Sequence, residues 1–161
     1  MTLLMAFFGV VIIGMILSPS RAESMEFFKN VYWKIILMTF AITWLINKRS
    51  DFKLLSRVML LSGAVIALKT LYNKVNGIGL IEETRVTVGR EIGSVLGDPN
   101  DLALVLMFPM AFAVAMILTP NASKFWRFLG IVIMVLLFSA VLATQSRGGL
   151  LGIMGVFGVF A

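Results

Sequence analysis

The chain has 161 residues, of which 60% are hydrophobic and 14% charged, against about 25% charged in an ordinary soluble domain. Six membrane helices of roughly 20 residues each would occupy about 120 residues, so this composition, with a mean hydropathy of +1.00, leaves no room for a large water-soluble domain. The net charge of +6, from 14 Lys+Arg and 8 Asp+Glu, interrupts apolar runs without forming a basic stripe, so no nucleic-acid partner is expected and the basic excess points to membrane topology and anionic lipid or phosphate partners.

The first expected span covers residues 3–17, an unbroken apolar run closed by Ser18-Pro19-Ser20, which reads as a helix stop and turn. A secretory signal peptide is the alternative, since Ser20-Arg21-Ala22 loosely resembles a cleavage site, but the basic start of such a peptide is missing. The second span is expected over residues 31–46, with Tyr32 and Trp33 at one end and Trp44 near the other, where amphipathic rings favour the interface. Asn47-Lys48-Arg49-Ser50-Asp51 is a short charged turn, and a third span follows over residues 54–72 with Arg57 and Lys69 near its ends.

Residues 73–100 form the long polar stretch between the third and fourth spans, with five glycines among seven charged residues, and are the first place to look for chemistry. A fourth span over 102–118 contains Pro109, which predicts a kink, and ends at Pro120-Asn121-Ala122-Ser123. The fifth span is expected over 128–143. Gln145-Ser146-Arg147-Gly148-Gly149 then leads into a sixth that is still apolar at Ala161; about twelve residues reach only about 18 Å, short of a core about 30 Å thick. The expectation is therefore an all-α, polytopic transmembrane helix bundle of about six spans, residues 1–161 forming one transmembrane domain with its last span truncated.

Short loops rich in Lys and Arg stay in the cytoplasm. Lys48, Arg49, Lys53 and Arg57 on one turn, and Lys124 and Arg127 on another, place both turns inside, which puts the 73–100 loop and the Ser146-Arg147-Gly148 turn on the outer face.

Cysteine and histidine are both absent, so thiolate chemistry, Ser-His-Asp catalysis and His-metal sites cannot be completed within this chain. Arg147 lies where one span ends and the next begins. Backbone N–H groups at a helix start, beside a guanidinium, make an anion site for phosphate or diphosphate; the alternative is an arginine that merely snorkels. Gly149, Gly152, Gly155 and Gly158 read as positions where a neighbouring helix approaches closely.

Asp98-Pro99-Asn100-Asp101 reads as a helix start, with Asp98 as N-cap, Pro99 first in the helix and Asp101 favoured by the dipole. The functional alternative has Asn100 and Asp101 lining an outer-face pocket for a sugar. Arg85 and Arg90 lie near Glu82, Glu83 and Glu91, so they are either solvated ion pairs or phosphate ligands.

The stretch GSVLGDPNDLALVLMFPMAFAVAM followed, one span later, by ATQSRGGLLGIMG resembles the O-antigen ligase and polymerase family of bacterial inner-membrane proteins. The likeness covers residues 93–155, and upstream spans agree only in pattern. It implies a multi-spanning glycosyltransferase that takes a glycan from undecaprenyl diphosphate at the outer face of the inner membrane and joins it to an acceptor hydroxyl on lipid A core, another repeat unit or a protein. By the resemblance, Arg147 matches the arginine beside the lipid diphosphate, and Arg85 or Arg90 matches loop arginines. Ser146, beside Arg147, and Asn100 and Asp101, on the reading of their own chemistry, complete the expected substrate-binding set. No metal and no cofactor are implied. Ligases of the family carry a histidine in a later periplasmic loop that activates the acceptor. This chain departs from that pattern, which points either to a cut at Ala161 or to a polymerase.

A transporter segment is the alternative from another class. Transporters tend to show repeat symmetry and polar residues at the midplane, whereas the ionisable residues here gather at span ends. A structural membrane-anchor subunit also fits the composition but leaves the Gly/Arg/Glu loop unexplained.

Overall fold

The computed structural model describes residues 2–46, 48–120 and 122–160. The chain forms two compact units, Met1–Phe52 and Lys53–Ala161, and its architecture is all-α apart from one small hairpin.

In the first unit, α1 (Thr2–Leu17) is apolar throughout and stops at the turn through Ser18 and Pro19. Next come α2 (Arg21–Phe27), a π-helical turn (Phe28–Tyr32) and α3 (Trp33–Leu45). The backbone is helical throughout residues 21–45, so the region expected to hold the second span is one rod containing a π-turn. Phe8, buried under the rod, packs against Tyr32 and Phe40 with ring centroids 6.3 and 5.7 Å away. Asn47, in the expected charged turn, lies outside the described residues; Asp51 accepts the Lys48 N–H at 2.9 Å as α4 (Arg49–Asn76) begins.

The second unit holds the rest of α4, β1 (Leu80–Ile81), β2 (Arg85–Val86), two 3₁₀ turns (Arg90–Ile92 and Val95–Gly97), α5 (Pro99–Leu118), α6 (Lys124–Thr144) and α7 (Arg147–Phe160). Among the described residues three helices are long and apolar enough to cross a membrane: Ser50–Asn76, Pro99–Leu118 and Lys124–Thr144. They coincide with the third, fourth and fifth expected spans and make this a membrane protein. Met5–Leu17 and Arg147–Phe160 are shorter apolar helices.

The starts of α5 and α6 follow local chemistry. Asp98 accepts N–H bonds from Asn100 (2.7 Å) and Asp101 (3.3 Å), with Pro99 opening α5, so the capping role expected of Asp98 is observed. Ser123 accepts the Trp126 N–H at 3.4 Å to start α6. Asn121, in the turn between them, lies outside the described residues. The helix α5 runs on across Pro109, whose ring is accommodated against Gly63 of α4, where any side chain would collide with it.

The core of this unit is a layer of Leu60, Leu102, Leu106, Met110, Leu137 and Val141 between α4, α5 and α6. The helix α7 docks on α5 through glycines: a Cβ on Gly149 would lie 2.7 Å from Ala103 Cβ, and one on Gly152 would strike Met107. Small residues of this kind let membrane helices approach closely. Gly155 and Gly158, expected to act the same way, face open space.

The contacts Asn100–Ser146, Ala103–Gly149 and Met107–Gly152 advance along both helices together, so α5 and α7 run parallel from a common end. The end of α4 and the hairpin lie at that end, since the Asn73 amide donates to the Thr87 carbonyl (2.9 Å) and Arg85 of the hairpin donates to Asn100 (3.0 Å). At the other end the Arg57 guanidinium sits 4.4 Å over the Trp126 ring. The polar loop and the Ser146–Arg147 turn thus share one end, and the basic α5–α6 turn has the other.

Candidate anion site at two helix starts

The loop between α4 and α5 is ordered by its own polar groups. Thr87 is fully buried; its N–H and hydroxyl both donate to the Gly79 carbonyl, at 3.2 and 2.6 Å. The Asn73 side chain ties that strand end to α4, and its own Oδ1 is buried with no partner among the described residues. Val86 is fully buried and Ile81 pairs with Arg85. Alternation along a strand points neighbouring side chains to opposite faces, so burying Val86 turns Arg85 the other way, towards the starts of α5 and α7.

There the Arg85 Nη2 donates to Asn100 Oδ1 at 3.0 Å and Nε to the Thr144 carbonyl at 3.4 Å. Asn100 Oδ1 also accepts the Ser146 hydroxyl at 2.9 Å. Ser146 is buried, and its Oγ in turn accepts the Gly149 N–H at 3.1 Å while its carbonyl accepts Leu150 N–H at 3.1 Å. Ser146 is therefore the N-cap of α7, and Asn100, second residue of α5, is fastened to it. Gln145 adopts a left-handed φ of 52°, which closes α6 and turns the chain through Thr144 and Ser146 in two residues. The Ser146 N–H is taken by Thr144 Oγ1 at 3.2 Å.

Three residues marked out in the sequence, Arg85, Asn100 and Ser146, are thus one hydrogen-bonded cluster joining the hairpin, α5 and α7. Arg147 follows Ser146 as the first residue of α7; its side chain is exposed and makes no hydrogen bond or ion pair with a described residue. The N–H groups of Arg147 and Gly148 precede the first intrahelical bond and have no acceptor within α7. Two helix N-termini, each with partial positive charge, begin side by side with a free guanidinium at one of them and a second guanidinium, Arg85, braced between them. This arrangement suits an anion with several oxygens.

Arg90 and Asp101 stand apart from the cluster. Arg90 is exposed in a 3₁₀ turn between Gly89 and Gly93, both at left-handed φ (70° and 65°), and its Cα backs onto Gly97. The Asp101 carboxylate is exposed in the first turn of α5, its N–H held by Asp98. Glu82 and Glu83 form the hairpin tip at φ of 52° and 60°, and the Lys74 ammonium holds the tip through the Thr84 carbonyl. Among the described residues no group of three acidic side chains could hold a metal ion.

Asn73, Thr87 and Thr144 support this site but carry no sequence signal beyond being polar residues at span ends or in the polar loop. A fully buried threonine and a nearly buried asparagine need internal partners, but which partners they take depends on the fold. Compared with known proteins, the chain matches no family model, no curated protein and no solved structure.

Proposed function

We propose that this chain belongs to a membrane glycosyltransferase of the O-antigen ligase type, acting on a glycan carried by undecaprenyl diphosphate at the outer face of a bacterial inner membrane. In this reading α1 and the 21–45 rod cross the bilayer with the three long helices, α7 opens a sixth span, and the loop end faces outward. The observation that supports it is the Arg85–Asn100–Ser146 cluster. The resemblance pairs two separate elements, Asp98-Pro99-Asn100-Asp101 and Ser146-Arg147-Gly148, and these are the two helix starts that the cluster fastens together.

The diphosphate lies across the starts of α5 and α7, its oxygens facing the free N–H groups of Arg147 and Gly148 and the Arg147 guanidinium. A guanidinium holds two phosphate oxygens through parallel N–H donors. Arg85 is braced by Asn100 and Thr144 and contributes its fixed positive charge. As the bond between the sugar's anomeric carbon and the diphosphate oxygen breaks, negative charge grows on the leaving group. Donors fixed beforehand stabilise that charge without reorganising. The acceptor hydroxyl attacks the same carbon and gives its proton to a base; the resemblance assigns that base to a histidine, a residue type absent from this chain. Chain polymerisation uses the same donor site with a repeat unit as acceptor.

Glycan transfer by the full-length protein in membranes tests the reading, with the abundance of each variant quantified. Loss of transfer in both Arg147→Lys and Arg147→Ala at normal abundance is expected. Near-normal transfer by the lysine variant would reduce Arg147 to an interfacial anchor and remove the reading's central residue.

A further inference from the structure

The first unit contains a cleft of about 460 Å³ between α1, α2 and the π-turn, reaching from Gly14 to Ser18, Glu23, Ser24, Phe28 and Tyr32. That volume falls in the range of about 300–1,000 Å³ usual for small-ligand sites. Its body is apolar and its polar groups stand together around Glu23 and the two serines. A π-turn inside a helix is uncommon and recurs at functional sites; here it supplies Phe28 and Tyr32 to the cleft wall.

The polar end is built in an unusual way. Ser20-Arg21-Ala22-Glu23 has the spacing of a capping box, in which the glutamate would accept the serine's backbone N–H. That N–H instead goes to Ser18 Oγ at 3.3 Å, and the Ser20 hydroxyl donates to Glu23 Oε2 at 2.9 Å. The Glu23 carboxylate is thereby released from its capping duty, and it makes no ion pair with a described residue. Among the described residues no Lys or Arg lines the cleft. Ser18 Oγ also accepts the Ser24 hydroxyl at 2.8 Å. Having accepted twice, Ser18 keeps its own proton to donate.

The site therefore offers a negative acceptor and a neutral donor a few residues apart, above an apolar trough. The flanks of α1 are apolar as well, with Phe7, Val10, Ile13 and Leu17 all more than half exposed. Such a surface meets lipid chains in a bilayer, so the complementary ligand is an amphiphile whose head pairs a primary ammonium with acceptor oxygens. We infer that this cleft binds one aminophospholipid, an ethanolamine phospholipid, with its ammonium on Glu23, a phosphate or ester oxygen on the Ser18 hydroxyl and part of an acyl chain along Gly14 and Phe28. This site is independent of the reading given for the second unit.

The test equilibrates the 161-residue protein with vesicles of equal phosphatidylethanolamine, phosphatidylcholine and phosphatidylglycerol, and counts retained lipids by native mass spectrometry. One phosphatidylethanolamine per chain is expected, several-fold over the other two. Glu23→Gln, nearly isosteric, should erase the preference among headgroups. A Cβ on Gly14 meets nothing within 4 Å, so Gly14→Leu should fill the trough and abolish retention while helical circular dichroism is unchanged. Equal retention of the three lipids, preference for phosphatidylglycerol or phosphatidylcholine, or an ethanolamine preference that survives Glu23→Gln would each overturn the proposal. The Glu23→Gln comparison decides the matter even if the Gly14 variant fails to fold.

Discussion

Two short helix-to-helix turns in the second unit each carry an arginine, and they treat it in opposite ways. In the α5–α6 turn, Arg127 Nη2 donates to the Thr119 and Pro120 carbonyls at 3.1 and 3.3 Å, closing the C-terminal end of α5, where a cation opposes the partial negative charge of the helix. In the α6–α7 turn, Arg147 opens α7, where the dipole is positive and a cation is disfavoured, and its guanidinium holds no described residue. Arg127 has a local reason to be where it is. Arg147 has none, and the neighbouring hydrogen bonds of Ser146, Asn100 and Arg85 build a rigid frame beside it. An arginine placed against a helix dipole and left without a partner among the described residues, next to an ordered cluster, is better explained by an external anion than by stability.

That contrast breaks most readily through Arg147 itself. In membranes, Arg147→Ala should lower transfer by about 2 to 4 kcal/mol in transition-state stabilisation, the scale for one preorganised donor group, and Arg147→Lys should lose most of it. The fold should be unharmed, and the alanine variant should be more stable by about 0.3–1 kcal/mol because the unfavourable dipole interaction is gone. Denaturation of the purified variant in mild detergent reads that gain; a clear loss of stability would mean that Arg147 has a structural partner after all.

Gly149→Val should come next. Its Cβ would meet Ala103 at 2.7 Å and Val141 at 3.0 Å, and overpacking of this kind costs about 1–3 kcal/mol. Unfolding in detergent measures the cost, and a value near zero would show that α7 does not need its close seat on α5. Ser146→Ala should cost about 1 kcal/mol through loss of the α7 cap. It should also weaken Arg85's brace, since Asn100 Oδ1 would lose one of its two donors. A double-mutant cycle between Ser146→Ala and Arg85→Ala should therefore give a coupling of about 0.5 kcal/mol or more, and strict additivity would show the cluster to be a set of independent contacts.

Arg127→Ala should show the smallest energetic effect, about 1 kcal/mol or less because its bonds are exposed, with transfer per folded molecule unchanged. A variant that loses transfer at full abundance would erase the distinction between the two turns. The placement of the turns on opposite sides is checked separately by an impermeant thiol reagent on intact spheroplasts. Gly77→Cys should be modified and Ala122→Cys should not, because short basic turns are retained inside. The same orientation has Lys48, Arg49 and Lys124 facing the cytoplasm and Arg85, Arg90 and Arg147 facing outward, and the reverse labelling would invert it.

Much of the helical layout was legible in the order of residues. Apolar runs gave α5 and α6 at nearly their observed bounds and α4 without its polar ends, Arg49–Asn76 against an expected 54–72, and Asp98-Pro99 announced the start of α5 because an N-cap is chemistry among neighbours. The second span is expected to start at residue 31, yet the helical rod begins at Arg21. Hydropathy hid that extension, because Glu23, Glu26 and Lys29 break the apolar signal without breaking the backbone's hydrogen bonding. The polar loop carries a signal for chemistry but none for a hairpin: its strands are two residues each, too short for alternation to register. Its turn holds two glutamates at positive φ, where glycine or asparagine would have been the sign.

For the site, the sequence alone determined the parts: an arginine at a helix start, a capped helix preceded by glycines, and polar residues at span ends, each set by interactions within a few residues. Which parts meet was decided only by the tertiary structure. Arg85 reaches Asn100 because burying Val86 turns the strand that way, and Asn100 reaches Ser146 because glycines let α7 lie close and parallel against α5. Of the five candidates besides Arg147, that packing brings Arg85, Asn100 and Ser146 together and leaves Arg90 and Asp101 outside. The physical reason is range: caps and spans are settled over one or two helical turns, whereas a bond across 46 residues, as between Asn100 and Ser146, exists only once two helices have been pressed together by the side chains they lack.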